Sequence, residues 1–345
     1  MSLGRAIAER DAAALPSRRD EAWRWTDLRG LIREIPPASA ANDEGLPPGP
    51  FAALAVDEVA IVNGRGPERI EIAGRRHRDM ALRFYSAPGA GSHTAELAIS
   101  VADGASLTLL ESHEGASGDY ITACALDIVV GAGASVERVL IAADHEASVG
   151  ASLARVTLGP GARFAQTVLT SGARRQRLET RVRHPGAGAS VRLDGLYLLT
   201  DRRHGDITTI VTHEGVDGTT DQLTKGVVDD QARGVFQGRI VVSPGADRTD
   251  ARMGHHALIL SDRAEVDGKP ELEIYADEVA CAHGNTVGAL DEEALFYARQ
   301  RGLPEPVARA MLTGAFLGEV VDRIEHEGAR GVARAWLAAR LEAKS

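Results

Sequence analysis

The 345-residue sequence predicts a mainly β protein, a parallel β-helix (solenoid) flanked by N-terminal and C-terminal helical domains. A Gly-Ala-polar-apolar phrase recurs at Gly104, Gly133, Gly161 and Gly188, with spacings of 29, 28 and 27 residues, and weaker echoes follow at Gly218 and Gly245. A fixed period of this length marks a solenoid, in which each repeat covers the apolar face of the next. The segments between the glycines read as strands with no helix long enough for a crossover, which argues against a doubly wound sheet. Aromatics make up only 4% of the chain while 37 residues are glycine, a balance suited to many tight turns around a core of small aliphatic side chains. An ordinary sandwich would lack an echo at this spacing.

From the N-terminus, Pro16 to Leu31 places Asp20 and Glu21 ahead of Ala22, Trp23 and Leu28, the pattern of a helix start, with Trp23 and Trp25 as packing anchors. Pro36, Pro37 and the run Leu46-Pro47-Pro48-Gly49-Pro50 then read as a linker. Strands are expected at Ser106 to Glu111, Tyr120 to Val130, Ser135 to Ala142, Arg163 to Thr170, Ser190 to Leu198, Asp206 to His213 and Gly234 to Val242, each rich in Val, Ile, Leu and Thr. The open ends of such a stack expose strand edges, so a partner or a cap is expected. Near the C-terminus Asp291 is a plausible N-cap, Gly302 a stop, and Pro304 a start for the next helix. Val307, Met311 and Ala315, then Leu317, Val320, Val321 and Ile324, read as apolar helix faces, and a third helix carries Val332, Ala335, Trp336 and Ala339. The domains are therefore drawn as 1–50, 51–287 and 288–345.

The formal charge of -10 argues against phosphate-backbone binding as the main task. The N-terminal residues Arg5, Glu9, Arg10 and Asp11 do not read as a secretory signal, and no apolar run is long enough to cross a membrane. Two distant cysteines make no disulfide framework, so a cytoplasmic protein with reduced thiols is expected.

The candidate chemistry lies at Cys281 and His283, a Cys-x-His spacing on the last strand-like segment. Alternate side chains of a strand leave from one face, so thiol and imidazole point the same way, and both are ligands that iron, zinc or copper accept. Closed structural sites take about four donors, so a metal held by this pair would need others from elsewhere. Cys124 reads as core. His255 and His256, adjacent on a strand, face opposite ways and read as surface and groove residues. Glu265, Asp267, Glu271 and Glu273 could suggest a β-helix glycan lyase or hydrolase, but Lys269 and Pro270 interrupt them and a solvated face is the plainer account. No phosphate-cradling Gly-x-x-x-x-Gly-Lys-Ser/Thr loop occurs in the sequence.

The block SDRAEVDGKPELEIYADEVACAHGNTVGALDEEALFYARQRGLP (Ser261 to Pro304), the stretch KGVVDDQARGVFQGRIVV (Lys225 to Val242) and the N-terminal RRDEAWRWTDL resemble the SufB/SufD family of iron-sulfur cluster assembly proteins. The resemblance is closest to the SufD side, because Cys281-Ala282-His283-Gly284 is followed by Thr286-Val287-Gly288 without the further cysteines of SufB. It implies a right-handed parallel β-helix, pairing with SufB at the end of the helix, and docking of the SufC ATPase on the C-terminal helices. It also implies that His283 helps hold a nascent cluster at the SufB interface, with Cys281 as an accessory thiol. No catalytic activity of its own and no stably bound cofactor are implied, only a transient iron-sulfur cluster; the sequence is silent on flavin and on a homodimer of the isolated chain. Arg252, His255 and His256 stand where the family commonly has amides, and the chain is short for the family in the linker and early repeats. Two other readings compete: a purely structural partner that stabilises SufB and orients SufC, and the glycan enzyme.

Overall fold

A computed structural model describes residues 3–342 except 43, 55 and 117; the outermost residues of the two expected helical domains, 1–2 and 343–345, lie outside the described residues. Seventeen strands wind into two parallel sheets that face each other. The odd-numbered sheet runs β1 (Asp57–Val62), β3 (His77–Ser86), β5 (Ser106–Gly115), β7 (Ser135–Ala143), β9 (Arg163–Thr170), β11 (Ser190–Leu199), β13 (Thr219–Val228), β15 (Asp250–Ile259) and β17 (Ala280–Gly288). The even-numbered sheet runs β2 (Arg69–Ile72), β4 (Ser92–Val101), β6 (Ile121–Val130), β8 (Val149–Leu158), β10 (Arg175–His184), β12 (His204–His213), β14 (Arg233–Val242) and β16 (Glu265–Ile274). Each strand pairs with the strand one coil away, so a coil contains two strands and the glycine period counts coils.

The repeated phrase has a physical meaning at the coil corner. Gly104, Gly133, Gly161, Gly188 and Gly245 all have positive φ, between 62° and 79°, where a Cβ is disfavoured. The alanine after each one, Ala105, Ala134, Ala162, Ala189 and Ala246, is buried at the bend. The echo at Gly218 is different: the left-handed residue of that turn is Asp217, at φ 60°. Beyond each corner the first apolar residue enters an interior column, in which Leu107, Val136, Phe164, Val191, Thr220, Ala251 and Cys281 stack in register.

All seven expected strands are present, with ends moved by at most a few residues. The pattern did not announce β8, β10 and β13. In β10, RQRLETRVRH, arginines alternate with Leu178, Glu179, Thr180 and Val182, and the hydrophobic signal is lost although most of the strand is buried. Polar pairing replaces apolar burial there.

The N-terminal segment is the main correction. Helix α1 is short (Leu3–Ala8), and Pro16 to Leu31 forms no α-helix, only a single 3-10 turn at Glu21–Trp23. This segment is strapped across the outer face of the even sheet. Arg177 donates from Nη1 to the Ala22 carbonyl (2.7 Å) and stacks under the Trp23 ring at 4.6 Å, while His204 Nε2 lies 3.0 Å from the Trp25 carbonyl. Thr26 donates to Asp206, and Lys269 Nζ to Glu21 (2.7 Å). Carbonyls that a helix would pair internally are engaged by the sheet instead, a tertiary override of a weak local preference.

At the C-terminus three helices form as expected: α2 (Glu292–Gln300), α3 (Glu305–Asp322) and α4 (Glu327–Glu342). Asp291 Oδ1 accepts from the amides of Glu293 (2.9 Å) and Ala294 (3.0 Å), and Gly302 has φ 88°. Leu317, Val320 and Val321 of α3, Ile324 just after it, and Ala333, Trp336 and Leu337 of α4 pack on Leu110, Val139, Leu169, Leu196 and Val227 from the outer face of the odd sheet. Val307 and Met311 do not join that core; they remain exposed.

Candidate functional site

The two sheets end at β16 and β17, and each of these strands pairs on one side only. Their side chains are exposed or half-exposed throughout, whereas β14, the neighbour of β16, is largely buried. The C-terminal end of the solenoid is therefore uncovered. Pro270, which lacks an amide hydrogen, is accommodated because β16 is an edge strand.

Cys281, His283 and Asn285 leave β17 on the inward face, each continuing a column of the interior. Cys281 follows Ala251 and is half-buried against the cluster that contains Phe236, Ile240 and Met253, next to Leu272 and Val279. Burial pushes its thiol pKa up, and Asp250 adds to the shift. A resting thiol rather than a thiolate follows, so a cation brought to this end would have to draw the proton off. His283 continues the column Leu193, Gln222, Met253 and is exposed above Met253. The shared direction expected from the Cys-x-His spacing is present: both side chains face into the coil, on its last turn.

Sequence reasoning missed the third member of this face. Asn285 Oδ1 lies 2.7 Å from Nδ1 of His255, and His255 Nε2 lies 2.9 Å from the Tyr197 hydroxyl. A neutral imidazole donates at one nitrogen and accepts at the other, so both are satisfied. His255 is fully buried, stacked on Phe236 at 4.7 Å, and burial holds its pKa down to about 4. It is thus no surface or groove residue, while His256 does face outward, 2.7 Å from Thr286 Oγ1. Gly268 makes room for this arrangement, since a Cβ there would approach Asn285 Nδ2 to 2.6 Å. The chain Tyr197, His255, Asn285 carries hydrogen bonds from the interior to the rim beside His283. Only the alternation of 281, 283 and 285 could have suggested Asn285.

The other candidates fall away from the site. Cys124 is buried, its thiol pushed by burial to about 12. Asp267 is bound by Arg233 (2.7 Å), Glu271 by Lys269 (3.2 Å) and Glu273 by Arg239 (3.2 Å), as expected of a solvated, ion-paired face. Among the described residues no group of three or more His, Cys, Asp and Glu side chains could hold a metal ion. Cys281 and His283 therefore stand as a pair, with no third His, Cys, Asp or Glu grouped with them among the described residues.

The molecule is an open-ended parallel solenoid with a thiol and an imidazole side by side on its last coil and a helical hairpin on its flank. Residues 84–316 match the family described as SUF system FeS cluster assembly, SufBD core domain, and the chain belongs to that family. It is similar to the iron-sulfur cluster assembly protein SufD of Escherichia coli, 32% identical over 246 residues, which cover 70% of this chain and 58% of that protein. A SufBD family protein of Synechocystis is 29% identical over 71% of this chain and 56% of its own length. One from Mycobacterium leprae is 28% identical over 91% of this chain and 87% of its own length. The matches to the first two relatives thus span little more than half of those proteins. Within the SufBD family the chain is similar to SufD.

Proposed function

We propose that this chain is a SufD-like, non-ATPase subunit whose open coil end pairs with SufB, so that His283, with Cys281 as an accessory, helps hold a nascent iron-sulfur cluster as cargo at the interface. The observation that carries this reading is the uncovered last coil, with thiol, imidazole and amide aligned on its inward face. Edge strands β16 and β17 offer unpaired backbone groups to a second solenoid, and the partner's donors would complete the ligand set. A second surface suits the SufC ATPase: Phe296 and Tyr297 of α2, with Val307 and Met311 of α3, are large apolar side chains left exposed. ATP-driven closure of the ATPase subunits would move the helical hairpins and shift the paired solenoids, the work coming from different affinities for the two shapes. The chain itself has no catalytic role in this reading, works in the cytoplasm, and keeps no resident cofactor.

The test is coexpression with SufB and SufC, followed by size analysis and iron content. His283→Ala should leave the complex assembled and lower its cluster yield several-fold, with Cys281→Ala having a smaller effect. Normal yield in the double variant would instead assign a purely structural role.

A further inference from the structure

Between the outer face of the odd sheet and the helical hairpin lies a cavity of about 460 Å³. Its walls are apolar where Leu198, Val227 and Leu260 of the sheet side face Ala310 of α3 and Leu341 of α4. At one end stands Arg340. Its guanidinium stacks on the Trp336 ring at 3.9 Å, and Nη1 donates to the Trp336 carbonyl (3.2 Å). Among the described residues no carboxylate forms an ion pair with it, and the nearby charge that acts on it is another cation, Arg203. Burial, then Arg203, holds its pKa down to about 10. Trp336 Nε1 is also buried with no hydrogen-bond acceptor among the described residues.

The other charged groups of the wall are engaged. Glu305 is bound by Arg309 (3.0 Å) and Arg299 (3.3 Å), and Asp229 accepts from the Asp230 amide (2.8 Å). A half-buried guanidinium without a counter-ion is costly unless something supplies one, and its planar fork matches a carboxylate in a two-point contact. The volume falls in the ~300–1,000 Å³ range of small-ligand pockets, which are mostly apolar with a few polar groups fixing orientation.

We propose that this cavity binds a small amphipathic carboxylate, its apolar body between the sheet and α3 and its head on Arg340. The ligand would stiffen the seat of the hairpin on the solenoid. None of the residues proposed for the cluster site lines the cavity.

The test is calorimetric titration of the full chain with sodium decanoate below its micellar range, with decanol as the uncharged control. Saturable one-to-one binding of decanoate is expected, at least tenfold tighter than decanol. Arg340→Gln should lose tenfold or more while keeping the melting temperature of the parent. Ala310→Phe, which fills the cavity, should abolish binding, and it decides the matter if Arg340→Gln does not fold. No saturable binding, equal affinity for decanol and decanoate, or parental affinity in either folded variant overturns the proposal.

Discussion

Replacing Glu111 by Gln attacks a fully buried ion pair of the solenoid. Arg138 grips the Glu111 carboxylate from Nε and Nη2, both at 2.7 Å, His113 Nε2 lies 2.8 Å away, and Arg138 Nη1 reaches Gln166 (2.6 Å). Burial pushes the Glu111 carboxyl up, but Arg138 and His113 outweigh it and hold its pKa down to about 2, against an ordinary 4.5. A folded pKa below the unfolded one means that stability is fully present above pH 4.5 and is lost as pH falls toward 2. The difference corresponds to on the order of 3 kcal/mol at neutral pH. Independently, removing one partner of a buried pair strands the other charge, at roughly 3–5 kcal/mol. Glu111→Gln should therefore lower the urea-unfolding free energy at pH 7 by about 3 kcal/mol and flatten the acid slope between pH 4.5 and 2. Glu111→Gln/Arg138→Gln, which removes both charges, should recover at least ~1 kcal/mol of that loss. A Glu111→Gln protein within ~0.5 kcal/mol of the parent, with an unchanged acid profile, would refute this account of the interior.

Arg177→Met removes the cation that holds Glu179 (2.9 Å), Asp206 (2.9 Å) and the Ala22 carbonyl, so it should cost roughly 3–5 kcal/mol and expose residues 16–32 to limited proteolysis, with the cut sites read by mass spectrometry. Gly226→Ala would set a Cβ against the Tyr197 ring, which is itself held by His255; a loss of about 1–3 kcal/mol in urea unfolding is expected. Asp291→Ala deletes the cap of α2 at about 1 kcal/mol, visible as faster hydrogen exchange at the amides of Glu293 and Ala294 and nowhere in the sheets.

The coil period was legible in the sequence because the corner is sterically demanding. Glycine takes the left-handed bend most freely, and a small residue fits next to it, so Gly-Ala recurs at the corners at Gly104, Gly133, Gly161, Gly188 and Gly245, while Asp217 takes the bend at another. The capped helix α2 was legible for a similar local reason: Asp291 contacts amides two and three residues away. So was the common face of Cys281 and His283, since strand alternation is a property of the backbone alone.

What lay beyond local pattern came from contacts between coils and across them. The arginine-rich β10 is a strand because Arg177 finds Asp206, Glu179 and the N-terminal strap, partners 29, 2 and 155 residues away. The segment from Pro16 to Leu31 is a strap for the same reason. His255, read as a surface residue, is buried because Tyr197 on one side and Asn285 on the other satisfy both ring nitrogens, 58 and 30 residues distant. The sequence alone determined that the chain would coil, where it would turn and that thiol and imidazole would share a side, for these follow from backbone sterics. Only the tertiary structure decided that this side is the interior column at an uncovered end, and that Arg340, with no carboxylate partner among the described residues, lines a cavity under the hairpin, because both depend on which distant side chains arrive to satisfy a buried charge or amide.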